Sequence, residues 1–173
     1  MQKTSESLKS KKILPLEYRI KVNKVLADYP NMERLFAAVV KEWPEHGEFL
    51  NQRLSRPDDA TFPLSEKIAE LVLQLSADEL PNYCKDYRWM CGMFINEDLH
   101  FRRKGSYRVT SSAEAEREVY SRPDFMSRYL RGILLSQALW INQTNAFQFY
   151  LDEFLSRIEP GSNLLEIGPG HGL

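Results

Sequence analysis

The chain has 173 residues, 43% of them hydrophobic and 27% charged, enough to bury one packed core. Its formal net charge of −1 gives no global field, so composition offers no support for nucleic-acid binding or a membrane-surface role. No apolar run approaches the ~20 residues of a membrane-spanning helix, and the start MQKTSESLKSKK lacks the apolar core of a signal peptide, which leaves the cytoplasm as the expected compartment.

The polar, basic start reads as a mobile tail over residues 1–15. A helical period then takes over. Tyr18, Val22, Val25, Leu26 and Tyr29 mark one amphipathic helix, and after Pro30 and a candidate Asn31 cap the period recurs in Met32, Leu35, Phe36, Val39, Val40 and Trp43. Pro44 ends that second helix, and residues 45–54 form a further short one before the loop Arg56-Pro57-Asp58-Asp59. Leu64, Ile68, Leu71, Val72 and Leu75 repeat the spacing. Ser76-Ala77-Asp78-Glu79 reads as a capping box opening a helix to about Asn96. In that helix Leu80, Tyr83, Cys84, Tyr87, Cys91 and Phe94 form an apolar stripe, with Trp89 and Met93 on another face.

Cys84 and Cys91 lie seven apart, about 10 Å along a helix axis, too far for a disulfide, so both read as buried small hydrophobes. His46, His100 and His171 are scattered, and no Cys/His cluster has metal-ligand spacing. Residues 99–110 change period from helical to alternating. The spacing predicts a small β-hairpin turning at Lys104-Gly105, with Leu99, Phe101, Tyr107 and Val109 inward. Arg102, Arg103, Lys104 and Arg108 would then project together, either as a solvated tip or as a contact for an anionic substrate or carrier group.

Ser111-Ser112-Ala113-Glu114 offers a second capping box, for a short acidic helix ending near Tyr120. Pro123 starts the most hydrophobic segment, whose residues Phe125, Met126, Tyr129, Leu130, Ile133, Leu134, Ala138 and Ile141 predict a central helix. Gly132 inside it costs about 1 kcal/mol against alanine and therefore points to close approach of a neighbouring helix or ligand. Beyond the polar Asn142-Gln143-Thr144-Asn145, Phe147, Tyr150, Leu151, Phe154, Leu155 and Ile158 predict a last amphipathic helix, stopped by Pro160-Gly161.

The segment NLLEIGPGHGL over 163–173 differs in kind. Leu164-Leu165-Glu166-Ile167 has the look of a buried parallel strand, and Gly168, Gly170 and Gly172 follow on alternate positions. Glycine reaches φ > 0 and removes the Cβ wall, so such a loop lets backbone approach a nucleotide-like molecule. A dinucleotide fingerprint, G-x-G-x-x-G, would need glycine where Leu173 stands. The run Glu-Ile-Gly-Pro-Gly-His-Gly instead resembles the first motif of class I S-adenosylmethionine-dependent methyltransferases, in which an acid ends the first strand and G-x-G-x-G follows. A ligand-free Pro-Gly turn and another nucleotide loop stay open beside it.

The resemblance covers about the last dozen residues. It implies S-adenosylmethionine as cofactor, with Gly168, Gly170 and Gly172 along its methionine and ribose portion and Glu166 orienting the loop or the cofactor amino group. His171 reads as filler between glycines, and no catalytic base is identified. The later family motifs are absent, so the resemblance further implies the N-terminal part of a longer enzyme that ends inside its cofactor loop. The expected fold is mainly α: a helical domain over 16–160 with one small β-hairpin, leading over 161–173 into the first strand of a truncated Rossmann-like α/β domain. By resemblance the helical domain covers the pocket of a small-molecule or carrier-bound substrate and supplies a homodimer interface. The competing class is a non-catalytic helical interaction domain. A nucleic-acid methyltransferase is disfavoured because the helical block has no basic excess.

Overall fold

The computed structural model describes residues 25–55, 60–168 and 170. The expected tail, Tyr18 and Val22 of the first expected helix, the loop at 56–59, and Pro169, His171, Gly172 and Leu173 lie outside them. Helix α1 spans Pro30–Glu42, and a 3-10 turn at Pro44–His46 leads into α2, Gly47–Leu54. Helix α3 is Phe62–Ser76, α4 is Leu80–Lys104 and α5 is Ser112–Ala115, which widens into a π turn at Glu116–Tyr120. Helix α6 is Pro123–Leu139 and α7 is Ile141–Phe149, continued by a π turn at Tyr150–Phe154 and a 3-10 turn at Leu155–Arg157.

Proline sets most of these starts. A proline occupies the first or second position of α1, α3, α4, α6 and the Pro44 turn, where its missing N–H has no intrahelical partner to lose. Helix α1 opens without a side-chain cap of its own, so the expected Asn31 cap does not form. A carboxylate from α3 takes that role: Glu66 accepts from the Asn31 backbone N–H at 2.9 Å, the Asn31 amide at 2.7 Å and the Met32 N–H at 2.9 Å. It satisfies orphan donors and places negative charge at the positive end of the helix dipole.

The packing pairs α4 with α6 most extensively, α1 with α3 and α4, and α3 with α6. Met32, Leu35 and Val39 from α1, Ile68 and Val72 from α3, Tyr87 and Met90 from α4, and Leu135 and Ala138 from α6 meet in one core. At Gly132 helices α4 and α6 lie close together. A Cβ there would lie 2.9 Å from both Cβ and Sδ of Met90 and 3.3 Å from the Asp86 carbonyl, so the close approach expected at this glycine is to a helix. Cys84 and Cys91 are buried free thiols, and burial pushes both up to about 11.

Several expectations are corrected. The hairpin is absent: α4 runs through Leu99 and Phe101 to Lys104, and Gly105, at φ +72°, donates its N–H to the Phe101 carbonyl at 2.7 Å. Lys104-Gly105 is thus a helix end with a left-handed glycine cap, and Arg102, Arg103 and Lys104 fill the last turn, where cations complement the dipole. The box at Ser76 does not form, because Ser76 remains the last residue of α3 and bonds the Leu73 carbonyl, while Ala77 turns the chain at φ +42°. The second box forms in part: Ser111 accepts from the Glu114 N–H at 3.2 Å, but Glu114 reaches back to the Thr110 N–H, at 3.0 Å, and not to that of Ser111. In α3, Leu71 and Leu75 are exposed while Ser65, Ala69 and Ser76 face the core, since small side chains let α3 lie close to its neighbours.

The described residues contain no strand, so the Rossmann-like lead-in is not formed. Leu164 to Ile167 have no regular structure, and Leu165 is 83% and Ile167 89% exposed. A parallel strand needs paired edges and two covered faces, and neither is supplied here.

Candidate functional site

Two regions hold chemistry, and only one was singled out by its sequence. At the first, Gly168 and Gly170 adopt φ of +73° and +64°, backbone that side-chain-bearing residues rarely take. Nothing lies within 4 Å of a Cβ built on either glycine, so a ligand could approach the loop backbone there. Glu166 precedes them with an exposed side chain. These three residues are brought together along the chain by sequence alone, and the fourth, Gly172, is outside the described residues.

The second region is a groove of about 750 Å³ along one face of α4. Lys85, Arg88, Trp89, Gly92, Met93 and Asn96 line it from α4, with Glu42 from the end of α1, Phe125 from the first turn of α6, and Arg108 from the stretch after α4. Two of its three cations are held in place. Arg88 donates to the Glu42 carbonyl at 3.2 Å and lies 5.8 Å from the Trp43 ring centre, and Arg108 uses both its backbone N–H and its guanidinium on Glu97. These contacts draw the Glu97 carboxyl below the usual range, the Arg108 N–H bond first among the causes. Lys85 has no ion-pair partner among the described residues. The apolar wall is equally ordered: Phe125 meets Trp89 edge-on at 5.1 Å, and Arg128 lies 4.3 Å from the Trp89 ring centre.

Beside the Trp89 wall, a partly exposed ionic cluster is built on the buried Asp86. Asp86 accepts from Arg128 at 2.9 Å and Arg131 at 3.4 Å, joining α4 to α6, and Arg131 also lies 5.2 Å from the Tyr83 ring centre. A second polar network lies deeper. Tyr87 accepts from the Trp140 indole N–H at 2.7 Å and contacts His46 Nε2 at 2.8 Å, while Trp43 stacks on His46 at 4.1 Å. Burial pushes the His46 imidazole down to about 4 and the Tyr87 hydroxyl upward, so at neutral pH both groups are uncharged. Arg53 is buried as well and joins α2 to α3, α6 and α7 through Ser65, the Ala138 carbonyl and Thr144.

Of the basic residues grouped in sequence, Arg108 alone lines the groove, and Arg102, Arg103 and Lys104 stay in the last turn of α4. The groove was nonetheless visible in outline: Lys85, Arg88, Trp89, Gly92 and Asn96 recur at helical spacings of three and four, one face of a continuous helix. His46 gave no such signal, because its partner Tyr87 lies 41 positions away and the Trp140 that donates to Tyr87 a further 53. Among the described residues no group of three or more His, Cys, Asp and Glu is placed to hold a metal, and no helix is long and apolar enough to cross a membrane. No known protein family, curated protein or solved structure matches the chain.

Proposed function

We propose that this chain is the N-terminal part of a cytoplasmic class I S-adenosylmethionine-dependent methyltransferase acting on a small molecule or a carrier-bound metabolite. The observation that carries the reading is the run Leu164-Leu165-Glu166-Ile167-Gly168-Pro169-Gly170 with Gly168 and Gly170 both at positive φ, which supports a loop built for close backbone contact. When bound, the cofactor supplies an electrophilic methyl group on a sulfonium. The chain's own residues position it: the glycines admit the ligand to the backbone, and Glu166 offers an acceptor to a cationic amino group. The helical domain would shield the acceptor from water.

S-adenosylmethionine titrated into the full gene product, followed by calorimetry, tests the reading. Binding should be saturable and should fall at least about tenfold in Gly170→Val, whose branched side chain disfavours positive φ. Equal affinity in wild type and variant would refute it.

A second reading, a helical interaction domain without catalysis, is favoured by the exposed Phe94, Ile95, Leu99 and Phe101 along the distal half of α4. A homodimer through the helical domain would cover the same side chains. Sedimentation velocity over a concentration series separates a self-associating chain from a monomer.

A further inference from the structure

We infer that the α4 groove is a binding site for a small organic acid with a flat, apolar body, its carboxylate lying between Lys85 and Arg88. Its volume, about 750 Å³, falls within the range of small-molecule sites. The lining divides along the axis of α4. Lys85 and Arg88 mark one end, Trp89, Gly92, Met93 and Phe125 the middle, and Asn96 with Arg108 the other end, a run of about 16 Å at the helical rise.

Charge decides what the first end accepts. Three cations line the groove against the Glu42 carboxylate, and Arg108 is already neutralised by Glu97, which leaves a single net positive charge. The available positive charge therefore sits at Lys85 and Arg88, and a guanidinium fixed by the Glu42 carbonyl and the Trp43 ring still has donors to turn toward a carboxylate.

The middle of the groove decides the rest. Gly92 is the floor: a Cβ there would meet nothing within 4 Å, so the space above the helix is open where any longer side chain would close it. Trp89 is held by Phe125 on its edge and Arg128 against its ring, which fixes an aromatic wall before any ligand arrives. A flat ring set over Gly92 would be flanked by Trp89, Met93 and Phe125, burying apolar surface on both partners. In the methyltransferase reading this ligand would be the methyl acceptor, but the inference stands on the groove itself and its test contains no cofactor, so either can fail without the other.

The probe is 2-naphthoate, with the neutral 2-naphthamide as its isostere, titrated into the ¹⁵N-labelled protein and followed by NMR. The expected result is saturable shifts of the Trp89 indole and Gly92 amide signals. Affinity should drop about tenfold for the amide and for Lys85→Gln, since each removes one charge-assisted contact. Gly92→Leu, which fills the floor, should abolish binding while leaving the circular dichroism spectrum unchanged. Lys85→Gln removes only an exposed charge, so it remains informative if Gly92→Leu does not fold. Equal affinity for acid and amide, unaltered binding in Lys85→Gln, or shifts centred away from Trp89 and Gly92 would each overturn the inference.

Discussion

Alanine at position 132 sets two forces against each other. In a helix interior, replacing glycine by alanine stabilises by up to about 1 kcal/mol through backbone entropy. At Gly132 the new methyl would lie 2.9 Å from Met90 Cβ and Sδ. The thioether can rotate away, but Met90 Cβ is fixed to the α4 backbone, so relief requires α4 and α6 to separate along their largest contact. Overpacking of this kind costs about 1–3 kcal/mol, and the net expectation is a loss of about 1–2 kcal/mol. Gly92 supplies the contrast, because it lies in helix α4 with open space around it, and Gly92→Ala should gain up to about 1 kcal/mol. Urea denaturation followed by circular dichroism at 222 nm, the usual helix band, measures both. If Gly132→Ala matches or exceeds the wild type in stability, the close approach of α4 and α6 is wrong.

Three further outcomes follow from named contacts. Glu66→Gln removes the negative charge from the start of α1 and should cost about 1 kcal/mol in the same assay, more than the same change at the exposed Glu70, and no difference between the two would refute capping from α3. Asp86→Asn should cost about 2 kcal/mol by weakening the contacts to Arg128 and Arg131, and salt should recover little of it because Asp86 is buried; a loss that 1 M salt erases would place the pair at the surface. His46 is held at about 4 in the fold against an ordinary 6.5, so the unfolded chain takes up its proton first. Stability from this group is full above pH 6.5 and declines as pH falls toward 4, by at most about 3 kcal/mol. Denaturation at pH 7, 5.5 and 4.5 should show the slope shrinking in His46→Asn; identical slopes would exclude His46 as its source.

The helices were legible where a side chain's own neighbours decide its fate. The 3.6-residue period located α1, α3 and α6, and Pro123 and Ser111 marked starts that the structure contains. What stayed hidden depends on distant partners. Nothing around Asn31 signals that Glu66, 35 residues on, replaces it as the cap. In α3 the period was right but the buried face was displaced toward Ser65 and Ala69, because hydrophobicity alone does not say which flank meets a neighbour at close range. The hairpin error had a local cause: Leu99 and Phe101 alternate as a strand would, yet three cations followed by glycine are the signature of a helix end. At Leu164 to Ile167 an apolar run resembled a strand, but a strand is a relation between segments, and no described segment pairs with it. For the candidate site, Glu166, Gly168 and Gly170 were legible as a motif, whereas the groove required knowing that Glu42, Arg108 and Phe125 from other segments meet the α4 face.

The stretch joining α4 to α6, residues 105–122, is stitched mainly to itself and to the exposed end of α4: Ser111 and Thr110 to Glu114, Ser121 to Glu116, Arg108 to Glu97. Its side chains are exposed or half-buried throughout, so lengthening or shortening it leaves the core packing intact. Yet this stretch delivers Arg108 to one end of the groove. Insertions here would re-aim one wall of the groove while the helices beneath it stay the same, so the shape of that end of the groove can change without first having to rescue the fold.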